Sequence, residues 1–454
     1  MEIQAKETRS RSILQDLVIP LAIMAPLGAF FWTVRGVGGY GGMMGGAFAG
    51  VGWAACWMMV SRDTHGKNSR RYGNGWATAA IALGVALGGM HGYGPYLSWV
   101  TGWFTLEDTS TIAINPAWGS LAMFQCGLAW GMTPGLLMAW TNQPRKTTWK
   151  AWLIRMGFLG IGIGTALVLF YAIPQITLPF YNEGIYASMI PGGHLFDVYN
   201  TAFSNTLYMG GICGLYAEII YRKQWRNVAV TAILALGFGL GFGLGSVWLR
   251  RPEFPEGLVL LYMLGQAGGW TWFMTIGFSG GVSFAVAHFV FNNRGVKNLE
   301  RIPRNTEILL GDNFTLGMGL FIAIYNGLYG KKGLGPKIFP ITASLDDVTK
   351  ELYENIHLGF EVTVFVSAGI LLLVFIASII KKIKPREKRS AWRDPGKKFH
   401  VLMAPLFIIG FFAFVDLRYG PLSTVSYFIL ASFLVCALIS FSASTLLYII
   451  KKRK

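Results

Sequence analysis

The sequence predicts an all-α polytopic membrane protein of about twelve transmembrane helices, both termini cytoplasmic, built on a tandem parallel repeat of four-helix units. Three observations carry the prediction. Of 454 residues, 53% are hydrophobic and 13% charged, and the mean hydropathy is +0.46, a membrane composition rather than that of soluble domains. The apolar residues gather in runs of about 17 to 28, each able to cross a hydrocarbon core of roughly 30 Å. The basic residues collect on alternate connecting segments.

In chain order, 1–16 reads as a polar cytoplasmic segment, because MEIQAKETRSRSILQDL has neither a short apolar core nor a cleavage site. The first span is therefore expected to remain in the mature chain. Spans follow near 17–34, 39–60, 76–94, 117–140 and 151–173, closing a first repeat region at 17–173. An external loop, 174–202, precedes spans near 203–221, 227–248, 266–291 and 312–329, the second repeat region being 203–329. The run from Leu258 to Phe291 is too long for one upright helix, so its first part is expected to form a separate surface or re-entrant segment. A second external loop, 330–356, leads to C-terminal spans near 357–380, 399–415 and 423–450, with a basic loop at 381–398 and a tail at 451–454.

The net charge of +17 raises the question of nucleic acid. Threading twelve spans from a cytoplasmic N-terminus puts all but eight of the 39 basic residues on one side. The basicity is then a positive-inside signal, no nucleic-acid partner is expected, and the chain belongs in a plasma (inner) membrane with the lipid bilayer as its main partner. The cysteines Cys56, Cys126, Cys213 and Cys436 all fall inside spans without ligand spacing, so no metal and no cofactor is expected.

The repeat shows when 74–92 is laid over 227–245. Asn74, Thr78, Ala79, Ala82, Leu83, Gly84, Leu87, Gly88 and Gly92 meet identical residues at an offset of 153. At an offset of 150, Gly119, Gly127, Gly131 and Asn142 meet Gly269, Gly277, Gly281 and Asn292. Four spans per copy give both copies the same orientation, a symmetry recurrent in transporters. Gly317-Met-Gly319 echoes Gly162-Ile-Gly164 and extends the pattern toward a third copy.

The stretch RGVGGYGGMMGGAFAG, Arg35 to Gly50, contains a G-x-G-x-x-G match. A dinucleotide turn must follow a strand and open a helix, and here the glycines lie in a continuous apolar run. Gly38, Gly42, Gly46 and Gly50 recur every four residues, which puts them on one helical face. Such faces let backbones touch where lipid removes the hydrophobic drive to pair helices. Gly84/Gly88/Gly92, Gly127/Gly131/Gly135 and Gly237/Gly241/Gly245 repeat the device.

Polar groups inside spans need a reason. Arg35 either holds a carboxylate or phosphate in a gap between helices or pairs with lipid at the interface. His91 shares the face of its glycine ladder and is either a buried hydrogen-bonded residue or a protonatable group on a solute path. Trp99 and Trp103, with Tyr93, Tyr96 and Phe104 beside Glu107 and Asp108, suit a sugar or organic cation, or form an interfacial belt. Gln125, Gln266 and Asn326 are candidate solute contacts or interhelical amides. Glu354, His357 and Glu361 share a helical face, and His357 and Glu361 are candidates for ion coupling. Glu218 four residues before Arg222 makes a local pair.

The loop Asp63-Thr-His-Gly66-Lys67-Asn-Ser-Arg70-Arg71 resembles in part the loop after the second helix of major facilitator transporters. The resemblance covers only this loop, and the repeat after four spans departs from that family's six. The expected function is a secondary transporter, a permease for a small polar solute such as a sugar or organic acid. The alternative is a membrane-embedded transferase or hydrolase acting on a lipid-linked or acyl substrate at the outer face. It would use His91 or His194 with Glu107, Asp108 or Asp197, although no H-E-x-x-H or G-x-S-x-G pattern is present.

Overall fold

A computed structural model describes residues 13–37, 42–61, 75–141, 148–292 and 424–452, with isolated positions between 311 and 373. The described chain is mostly helical. Six of its helices are long and apolar enough to cross a membrane, which marks a multi-pass membrane protein. The expected spans near 312–329, 357–380 and 399–415, and with them Asn326, His357 and Glu361, lie outside the described residues.

The helices are α1 (Ile19–Val37, led in by a π-helical turn at Leu14–Val18), α2 (Gly42–Ser61), α3 (Gly75–Gly88), α4 (Tyr96–Val100), α5 (Pro116–Thr141) and α6 (Trp149–Ala172). They continue as α7 (His194–Tyr221), α8 (Trp225–Gly243), α9 (Val259–Ala267), α10 (Gly269–Asn292) and α11 (Thr424–Lys452). Two short antiparallel strands, β1 (Trp103–Thr105) and β2 (Thr111–Ala113), form a hairpin between α4 and α5. That hairpin marks one end of the bundle.

Two boundaries differ from expectation, each for a physical reason, and a third divides as expected. The span expected at 76–94 stops at Gly88, where Gly89, Met90 and His91 donate to carbonyls three residues back and tighten the helix into a turn. The helix expected from 203 begins at His194, because the Glu107 carboxylate accepts from the Leu195 amide at 2.8 Å and caps the helix from a distant loop. The long run after Leu258 divides as expected, at Gly268, whose φ of +51° breaks the chain between α9 and α10.

Six helices close a ring in the order α1, α2, α3, α5, α8, α10, with α10 returning to α1. The glycine ladders make this possible. Gly131 on α5 lies so close to the Leu234 carbonyl of α8 that a Cβ would collide with backbone, and a Cβ at Gly135 would sit 2.7 Å from the Thr231 Cα. α6 and α7 pair with each other beside the ring, and the outer face of α6 is exposed along its length at Leu153, Ile161, Val168 and Tyr171. The sequence-related helices α3 and α8, and α5 and α10, are all ring members. Their predecessors pack differently: α2 lies against α3, whereas α7 lies mainly against α6.

Candidate functional site

The ring interior is filled by aromatic side chains from helices far apart in sequence. Trp32 of α1 meets Trp130 of α5 at a centroid distance of 4.8 Å, and Phe238 and Phe242 of α8 at 5.6 and 5.7 Å. Trp53 of α2 meets Trp32 at 5.8 Å and Phe284 of α10 at 5.2 Å.

Arg35, one turn below the hairpin end of α1, projects into this cluster and is only 2% exposed. Its guanidinium carbon lies 4.6 Å from the ring centres of both Trp32 and Trp130, and 5.9 Å from that of Tyr93. One Nη donates to the Tyr93 hydroxyl at 3.4 Å, a long bond. Among the described residues Arg35 has no carboxylate partner, and its Nε has no acceptor. Arg35 is thus enclosed by aromatic rings within the helix bundle.

Tyr93 belongs to the short loop 89–95 that closes the ring at the hairpin end. Asn205 of α7 holds that loop by three bonds: it accepts from the Gly92 amide at 3.0 Å, donates to the Gly92 carbonyl at 2.6 Å and reaches the Tyr96 hydroxyl at 3.2 Å. His91 sits in the same loop rather than on the glycine ladder of α3. It is 1% exposed, its ring stands edge-on to Tyr208 at 5.7 Å, and neither nitrogen has a hydrogen-bond partner among the described residues.

Outside this closure two pockets open. A cleft of about 880 Å³ is lined by Pro95, Ser98, Thr105, His194, Asp197 and Asn200 among others. A smaller pocket of about 100 Å³ lies between Tyr96, Trp99, Trp118, Gln125 and Asn205. Gly94 and Pro95 line the larger pocket and Asn205 the smaller, and Arg35 lines neither.

The expected site residues are therefore divided. Arg35 lies in the ring, His91 shares the closing loop with Tyr93, and Gln125 and Trp99 share the small pocket. Trp103, 53% exposed on β1, and Gln266, exposed on α9, stand away from these groups. Glu107 is engaged as the cap of α7, and Asp108 is exposed and turned to Ser110. The Ser110 hydroxyl at 2.6 Å and its amide at 3.0 Å hold the Asp108 carboxyl below the usual carboxylate range. His194 and Asp197 line one cleft without a hydrogen bond to each other. Among the described residues no group of three His, Cys, Asp or Glu could hold a metal.

A second buried arginine gives a contrast. Arg155 of α6, 0% exposed, is sandwiched between Trp140 at 4.7 Å and Trp152 at 4.6 Å, but its Nη lies 3.6 Å from the buried Glu218 carboxylate. Glu218 also pairs with Arg222, as the i, i+4 spacing predicts. Among the described residues this arginine has a counter-charge and Arg35 has none.

Sequence reasoning missed Trp32, Trp53, Trp130 and Asn205. Three tryptophans in the middle of apolar runs were the available signal, since an indole N–H buried in lipid or protein asks for an acceptor. Comparison of the chain with known protein families, with curated proteins and with solved structures gives no match.

Proposed function

We propose that the protein is a multi-pass secondary transporter, a permease moving a small polar solute across the inner membrane along the axis of the six-helix ring. The observation that supports it is Arg35. A guanidinium buried on the axis of a membrane ring is costly and contributes little that an apolar residue would not, so a role in passage explains its position. The closing loop 89–95 has glycine at 89, 92 and 94 and is tied to α7 by the Asn205 hydrogen bonds and the contact of His91 with Tyr208, which suits a gate next to Arg35. In this reading twelve spans place both termini in the cytoplasm, and the tandem repeat contributes α3, α5, α8 and α10 to the path wall. The bilayer and the solute are the partners.

The enzyme alternative draws on the cleft that carries His194 and Asp197. It is weaker, because no hydrogen bond joins the two and Glu107 is committed to capping α7. Purified protein in liposomes, challenged with a panel of sugars and organic acids with and without proton and sodium gradients, tests the reading. Uptake above protein-free liposomes supports it; no uptake of any solute under any gradient overturns it.

A further inference from the structure

The unpaired polar atoms around Arg35 have one sign. Arg35 Nε and the indole Nε1 of Trp32, Trp53 and Trp130 are all buried donors without acceptors among the described residues. Two of those indoles, Trp32 and Trp130, flank the guanidinium directly, and Trp53 packs against Trp32. Buried donors without an acceptor among the described residues also occur elsewhere, at Ser61, Trp140, Tyr186 and Thr231, and what sets this group apart is its assembly about an unpaired guanidinium. Trp272, which touches Phe242 in the same cluster, gives its N–H to the Phe242 carbonyl at 3.2 Å. Ser279 and Thr133 likewise find acceptors, at the Gly237 and Ala129 carbonyls. Buried donors are normally satisfied, and three that are not, on Arg35 and on the two indoles that flank it, describe a complement that is negative and rich in acceptors.

We infer that the ring centre at Arg35 is a binding site for a small oxyanion, a carboxylate or phosphate group, held by the guanidinium with indole N–H donors from Trp32 and Trp130. A sugar or a cation is excluded as the primary ligand by the same chemistry. A cation would meet Arg35 with like charge. A sugar hydroxyl donates as well as accepts, and its protons would find no acceptor here. The planar guanidinium fork matches an oxyanion in a way that an ammonium does not, which explains arginine at this position. Tyr93 adds a hydroxyl that already accepts from Arg35 and so has its own proton to donate. For its biological sense the inference rests on the permease reading, since it names that permease's solute class. As a binding site it stands by itself.

Isothermal titration of the purified full-length protein in detergent tests it, with sodium succinate, sodium lactate and inorganic phosphate as probes and sodium chloride, glycerol and choline as comparisons. At least one oxyanion is expected to bind saturably at millimolar concentration or below, with the comparisons silent. Arg35→Gln is expected to weaken that binding at least tenfold. Arg35→Lys, which keeps the charge and loses the fork, should weaken it by an intermediate factor. Trp130→Phe keeps the ring and removes only the donor, and a several-fold loss in a variant that unfolds at the wild-type temperature separates ligand contact from packing. Binding only of glycerol, choline or chloride, or oxyanion binding that Arg35→Gln and Trp130→Phe leave unchanged, overturns the inference. Oxyanion binding without flux in liposomes upholds this site and counts against the permease. Sugar flux without oxyanion binding upholds the permease and overturns this site.

Discussion

Arg35→Met should leave the fold standing. Burying a guanidinium without a counter-ion costs several kcal/mol after relaxation. Against that stand two cation–π contacts at 4.6 Å, each about 2 kcal/mol when desolvated, and one charge-assisted bond to Tyr93 of about 1.5 kcal/mol. The favourable terms, about 5.5 kcal/mol together, roughly cancel the burial cost. Methionine keeps an apolar stem of similar reach and removes both sides of the balance. The expected change is therefore within about 1 kcal/mol, an apparent Tm within roughly 3 °C of wild type. The assay is thermal unfolding of purified wild-type and variant protein in the same detergent. A fall in Tm beyond about 6 °C, equivalent to about 2 kcal/mol, would show that Arg35 holds the fold together and refute the argument that it is kept for a ligand.

Other perturbations separate structural residues from that site. Glu218→Gln strands Arg155 without its buried counter-charge and should cost about 3 to 5 kcal/mol, read as a lower Tm than any Arg35 variant; an unchanged Tm would contradict the pairing. Gly131→Val pushes a branched side chain into the Leu234 backbone and is expected to separate α5 from α8 at a cost of about 1 to 3 kcal/mol or more, seen as loss of monodisperse protein on size exclusion. Asn205→Ala leaves the Gly92 amide unpaired and the Gly92 carbonyl with only the weak Cys126 thiol donor at 3.5 Å, and should raise hydrogen exchange at 89–96 while α2 and α5 stay protected; unchanged exchange there would mean the loop is not held by Asn205.

Much of the architecture is legible in the sequence, because a four-residue glycine period has only one geometric meaning on a helix. The ladders at Gly46/Gly50, Gly84/Gly88 and Gly131/Gly135 each name a face, and each face meets a neighbouring backbone. The break at Gly268 was readable from length alone. Arg35 stood out as a lone charge in an apolar run. The cage around it was not readable, since Trp32, Trp53 and Trp130 come from α1, α2 and α5 and no local pattern says which ring centres meet. The start of α7 at His194 was hidden for the same reason, its cap being Glu107, 88 positions away in the chain. His91 was read as helical because glycine periodicity continues to Gly92, while the chain turns after Gly88.

The claim that Arg35 marks a solute site on the ring axis is tested most directly by counterflow in liposomes. Vesicles loaded with unlabelled succinate, lactate or phosphate carry wild-type protein, Arg35→Gln or Trp130→Phe and receive the same solute in labelled form. Transient accumulation of at least one labelled oxyanion by wild type, abolished in Arg35→Gln and reduced in Trp130→Phe, is the expected result. Accumulation that Arg35→Gln leaves at the wild-type level would contradict the account.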